Sequence, residues 1–151
     1  MDQQTYGLND NVGRKGCKYL CHLRIAEYEA SDIFTVGQLN RNYFDHKKYG
    51  WLKNQCDIIK PNEIMADFIN DMGGIASHAP RQLGRIVKSD KGSKIVFWDG
   101  SLDHIVKYCL VEFKTDNGFH WILFDSLMNE LYDSWTLPYN RKYINSINLI
   151  G

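Results

Sequence analysis

The chain has 151 residues, of which 44% are hydrophobic and 13% aromatic, a composition that supports a real core and excludes a disordered chain. Lys plus Arg equals Asp plus Glu at 18 each, so no global basic field recruits nucleic acid, and a nucleic-acid partner is not expected. No apolar run approaches the ~20 residues of a membrane span, so no membrane partner is expected either.

The first six residues are polar and lack the basic and apolar regions of an export signal, which points to a cytoplasmic protein or one released by lysis. Without an export signal, Cys17, Cys21, Cys56 and Cys109 read as free thiols. Residues 1–16 read as an ordered loop: Asn9, Asp10, Asn11 and Gly13 are turn formers, and Gly16 stands directly before a helix. From Cys17 to Glu29 there is no Gly or Pro, and Cys17, Leu20, Cys21, Ile25 and Tyr28 share a broad helical face.

Thr35 reads as the N-cap of a second helix carrying Val36, Leu39 and Tyr43 on one face. Residues 45–55 read as a polar, aromatic loop, and 56–59 as a short extended piece. Pro61 opens a third helix with an apolar stripe of Ile64, Met65, Phe68, Ile69 and Met72, closed by Gly73-Gly74. After a loop over 76–83 the period changes to two. Strands are expected over 85–87, 94–98, 105–114, 119–125, 130–135 and 143–149, with Asp116-Asn117-Gly118 as a hairpin turn. Helices first and antiparallel strands second predict a single α+β domain over residues 1–151.

Gly16-Cys17 places a thiol at a helix N-terminus, beside Arg14, Lys15 and Lys18. Positive charge there favours the thiolate, which is the nucleophilic form. A histidine partner would stabilise that thiolate and later protonate a leaving amine. His120, which leads a strand just after the hairpin, is the first candidate, and His104 the second. His22 points to another helix face than Cys17, while His46 and His78 fall in stretches read as solvated loops. Asp125 has odd spacing from His120 and so faces the other side of the sheet. Asp133, returning on the next strand, would lie opposite or diagonal to His120 and could orient it. The backbone N–H of Cys17 and the amide of Asn11 are candidate donors for an oxyanion. There is no C-x2-C pair for zinc, and neither a metal nor another cofactor is expected.

Taken together, these segments resemble the papain-like cysteine peptidase superfamily, and within it the branch of bacteriocin-processing, double-glycine peptidases. The resemblance rests on Gly16-Cys17 opening a helix, on His120-Trp121-Ile122-Leu123-Phe124-Asp125, and on Leu131-Tyr132-Asp133-Ser134-Trp135. Residues 36–73 are similar to that branch's helical insert. The chain also resembles small proteins carried on spirochaete plasmids and prophages. The resemblance implies a papain-like fold with Cys17 as nucleophile, His120 as base, Asp133 as orienting group and Asn11 as oxyanion donor. It implies a hydrolase of peptide or other amide bonds, with a peptide, protein or peptidoglycan substrate. The family has glutamine six residues before its cysteine, where this chain has Asn11, and small residues after it, where this chain has Lys18-Tyr19. The alternatives are a catalytically silent binding protein using aromatics such as Tyr49, Trp51 and Trp135, and an acyltransferase sharing the thioester step.

Overall fold

The computed structural model describes residues 1–89, 91–99 and 105–151. Their contacts divide the chain into two units, Met1–Pro80 with Ser134–Thr136, and Arg81–Asp133 with Leu137–Gly151. The class is α+β: among the described residues there are four α-helices, all in the first unit, and a six-stranded antiparallel sheet in the second.

In the first unit, residues expected to form a loop instead carry a short helix, α1 (Asp10–Lys15). The turn-forming Asn9 is its N-cap, with its side chain accepting from the Asn11 backbone N–H at 3.0 Å. α1 runs almost directly into α2 (Cys17–Ala30) through Gly16. A side chain at Gly16 would run into the carbonyl oxygen and Cγ1 of Val12, so the junction needs a glycine for close approach. α2 is buried nearly all round, from Tyr19 to Glu27 apart from half-buried Arg24, which pairs with Glu27 at 3.2 Å. This exceeds the single face that the periodicity marked.

Thr35 caps α3 (Val36–Lys48) in a full capping box with Gln38. α3 continues through residues expected to be a loop, and only then come two short paired strands, β1 (Leu52–Lys53) and β2 (Asp57–Ile58). α4 (Pro61–Asp71) buries Ile64, Met65, Phe68 and Ile69 as its spacing requires. Among the described residues no helix is long and apolar enough to cross a membrane.

The extension of α3 corrects the reading of His46, which is fully buried rather than solvated. Its Nδ1 meets the Tyr19 hydroxyl at 2.8 Å and its Nε2 meets Asp67 Oδ2 at 2.8 Å. The chain Tyr19–His46–Asp67 therefore ties α2, α3 and α4 together through hydrogen bonds inside an aromatic cluster that includes Phe68 and Trp51. Burial raises the Tyr19 hydroxyl well above its usual range, which keeps it a donor to the ring.

His22 is buried as well. Its Nδ1 donates to the Lys18 carbonyl at 2.8 Å, and its Nε2 finds no hydrogen-bond partner. Burial first, and the nearby Lys18 charge second, push its pKa from 6.5 down to about 3. The unfolded chain therefore binds a proton near pH 6.5 that the folded chain refuses until about pH 3, and stability falls as pH drops through this window. Below pH 6.5 the wild-type folding constant is expected to fall up to about tenfold per pH unit faster than that of His22→Asn. Urea unfolding at a series of pH values reads this directly. Parallel pH profiles for the two proteins would contradict it.

In the second unit the strands are β3 (Gln82–Ser89), β4 (Gly92–Trp98), β5 (Tyr108–Thr115), β6 (Gly118–Asp125), β7 (Glu130–Asp133) and β8 (Arg141–Ile150). Their order across the sheet is β4-β3-β8-β5-β6-β7, so the last strand is inserted between β3 and β5. Asp116-Asn117 closes the β5–β6 hairpin, with Gly118 at φ +125°, a conformation that favours glycine. Cys109, Val111, Ile122 and Phe124 form an apolar cluster on one face of the sheet, joined by Phe113, Tyr139, Ile147 and Leu149. Two expected strands are shorter in the structure: residues 105–107 precede β5, and β7 stops at Asp133.

Candidate functional site

The β5–β6 hairpin fixes His120, which stands opposite Phe113 in the ladder. On the other side of β6, β7 returns with Asp133 opposite Ile122, two residues from His120 on the same face. Asp133 is thus diagonal to His120, within reach of a long side chain. His120 Nε2 meets Asp133 Oδ1 at 2.6 Å, with the two side chains 12% and 14% exposed, so the pair is largely screened from water.

The second oxygen of Asp133 is also taken. The Tyr139 hydroxyl donates to Oδ2 at 2.5 Å, and Arg141 Nη2 approaches the same oxygen at 3.3 Å. Arg141 is held in turn by a forked pair to Glu130 at 2.8 and 3.1 Å, and its Nε donates to the Tyr139 hydroxyl at 3.1 Å. The Tyr139 ring packs edge-on against His120, with centroids 5.2 Å apart. Burial, and then the bond to Asp133, raise the Tyr139 hydroxyl pKa, so it remains a neutral donor. The hydrogen bond to Glu130 raises the Arg141 pKa and keeps it cationic. Three donors on one carboxylate lock its rotamer, and that carboxylate fixes which ring nitrogen of His120 faces it.

Tyr139 and Arg141 were not singled out from the sequence. They come from the approach to β8 and its first residue, and they reach Asp133 because β8 lies beside β5, where Arg141 pairs with Thr115. Their one local signal is the i, i+2 spacing of an aromatic and a cation leading into a strand.

Cys17 and Asn11 belong to the first unit, His120 and Asp133 to the second. Cys17 is the first residue of α2, whose 14 residues carry the partial positive charge of their free N–H groups to that end. Gly16 supplies no side-chain cap to compete for those groups. Cys17 is half-buried, whereas Cys21, Cys56 and Cys109 are buried, and all four are free thiols. Burial first, and the neighbouring Cys17 second, push Cys56 up to about 12, and burial raises Cys109 as well. Both are held as inert thiols at neutral pH.

Asn11 lies in α1 rather than in a loop. One of its amide hydrogens goes to the Tyr43 hydroxyl at 2.9 Å, and Tyr43 donates onward to the Gln55 carbonyl at 2.6 Å. Asp125 caps the β6–β7 turn instead of touching His120, accepting from the backbone of Leu127 and Asn129 at 2.9 Å each. Its pKa is lowered by the Asn129 side chain and backbone. His78 is exposed in a short 3-10 helix, and His104 lies outside the described residues. Of the aromatics named for a binding surface, Tyr49 is exposed, while Trp51 and Trp135 are half-buried. Among the described residues no cluster of three or more His, Cys, Asp or Glu is placed to hold a metal. No family model, curated protein or solved structure matches the chain.

Proposed function

We propose that the chain is a papain-like cysteine hydrolase of peptide or other amide bonds. The observation that carries this reading is the His120–Asp133 pair at 2.6 Å, with the far carboxylate oxygen braced by Tyr139 and Arg141. The accessible thiol at the start of α2, set against three buried ones, supports Cys17 as its nucleophile.

In this reading the Cys17 thiolate attacks the carbonyl carbon, forming the C–S bond. The imidazolium of His120 gives its proton to the nitrogen as the C–N bond breaks, and the amine leaves. His120 then takes a proton from water, whose oxygen attacks the thioester. The C–S bond then breaks, the carboxylic acid departs, and the Cys17 thiolate and His120 imidazolium are restored. The Cys17 backbone N–H and the second amide hydrogen of Asn11 would stabilise the oxyanion. A peptide, protein or peptidoglycan bond of the kind cut by phage endopeptidases is the proposed substrate class.

Intact-mass analysis during incubation with such substrates tests the reaction. An acyl adduct mapping to Cys17, with new amine termini in the products, is expected, and Cys17→Ala should lose both. Cleavage that survives Cys17→Ala would overturn the assignment. Transfer to added amines in place of water would make the same site an acyltransferase.

A further inference from the structure

The N-terminal segment makes contacts that the reaction as described does not use. Gln3 is nearly buried, and its backbone N–H donates to the Ser134 carbonyl at 2.8 Å. Its side chain reaches two partners. Oε1 accepts from the hydroxyl of fully buried Ser134 at 2.9 Å, and Nε2 donates to the Gly13 carbonyl of α1 at 3.0 Å. A carbonyl can only accept, so the Gly13 contact fixes which way the amide is turned and makes Ser134 the donor. Beside it, Gln4 Oε1 accepts from the Thr136 N–H at 3.2 Å and from its hydroxyl at 3.0 Å. The Asp2 carboxylate accepts from the Gln4 N–H at 2.8 Å and so stiffens the segment. A side chain on Gly13 would stand 3.2 Å from the Gln3 carbonyl oxygen, so the segment lies close against α1.

Both ends of the Gln3 side chain fall next to residues of the proposed site. Ser134 follows Asp133 directly, and Ser134–Thr136 belong to the first unit while β7 belongs to the second. Gln3 engages the Ser134 carbonyl, and β7, expected to reach Trp135, stops at Asp133. At the other end, Gly13 lies four residues before Cys17. An unbroken helix would give the Gly13 carbonyl to the Cys17 N–H. The chain breaks at Gly16 instead, and Gln3 Nε2 occupies that carbonyl. Cys17 then opens a new helix, where the first N–H groups have no intrahelical partner and can face an oxyanion.

We propose that Gln3 is a positioning residue for the reaction: it anchors the chain leaving Asp133 on α1 and occupies the carbonyl that would otherwise engage the Cys17 N–H. This role depends on the hydrolase reading of Cys17, His120 and Asp133, and adds to it one side chain that serves both ends of the site. Buried hydrogen bonds hold such a geometry firmly, because neither partner has water to turn to.

Gln3→Met keeps the length of the side chain and removes both polar ends. Cys17 alkylation by iodoacetamide near pH 6, with peptide mapping, is measured for wild type, Gln3→Met, His120→Ala and the double variant Gln3→Met/His120→Ala, with circular dichroism confirming each fold. Gln3→Met is expected to slow Cys17 at least about threefold when His120 is present and to leave the rate of His120→Ala unchanged, because positioning acts only where there is an imidazole to position. In steady-state kinetics the same variant should lose at least about tenfold in kcat, with KM within about twofold of wild type. Ser134→Ala severs the other side-chain bond and should show the same pattern, which keeps the test decisive if Gln3→Met fails to fold. Equal slowing in both backgrounds would mean a merely structural role and would overturn the proposal, as would wild-type alkylation or wild-type kcat in a folded Gln3→Met. If wild type and His120→Ala alkylate Cys17 at the same rate, the hydrolase reading itself falls, and the role of Gln3 with it.

Discussion

His120→Ala is expected to lower the turnover of amide substrates by about 10²–10⁴-fold, the usual contribution of a positioned general acid and base. The imidazole sits in a built environment, with Asp133 at Nε2 and the Tyr139 ring on its edge, so its removal deletes one function and leaves the sheet intact. The ladder bonds of β6 to β5 and β7 come from backbone, and the apolar cluster of Val111, Ile122 and Phe124 does not include the ring. Stability should fall by only about 1–3 kcal/mol, for the donor that Asp133 Oδ1 loses, while kcat collapses. Steady-state kinetics together with urea unfolding separates the two. A variant that keeps most of its turnover would remove His120 from the chemistry.

The second large effect is expected at Asp133→Asn. The wild-type carboxylate serves His120 on Oδ1 and both Tyr139 and Arg141 on Oδ2. An amide has one oxygen. If that oxygen turns to His120, the Tyr139 hydroxyl and Arg141 face an NH2 group. If it turns to them, the NH2 group faces Nε2 and forces the other tautomer of the ring. The first arrangement takes its acceptor from the Tyr139 hydroxyl, at about 1–3 kcal/mol of folding stability, while Arg141 keeps its forked pair to Glu130. The second moves the proton to Nδ1 and removes the base, with a loss of up to about 10²–10⁴-fold in kcat. Unfolding and kinetics on one sample show which penalty the site accepts. A variant with wild-type stability and wild-type kcat would mean the bracing of Asp133 is idle.

Much of this site could be read from local pattern. The period-two stretch 119–125 and the Asp116-Asn117-Gly118 turn were enough to place His120 on a strand. Parity and a turn near 126–129 were enough to bring Asp133 back on the same face, and the register has it diagonal. The same parity set Asp125 aside correctly, since it caps a turn. What stayed hidden depends on partners far along the chain. His46 looks solvated within Asp45-His46-Lys47-Lys48, yet it is buried because Tyr19, 27 residues away, and Asp67, 21 residues away, satisfy both ring nitrogens. Tyr139 and Arg141 were hidden because β8 crosses the sheet to lie between β3 and β5. α1 was missed because its six residues have a turn-like composition, and only the Asn9 cap and the Gly16 junction make it a helix.

The central claim is that Cys17 works as a thiolate paired with His120. Selective alkylation of Cys17 alone does not establish this, because Cys17 is also the one cysteine of the four that is not buried. The dependence of its alkylation rate on His120 does. The wild-type rate with iodoacetamide near pH 6, followed by peptide mapping, is expected to exceed that of His120→Ala at least about tenfold. Equal Cys17 rates in the two proteins would contradict the pairing.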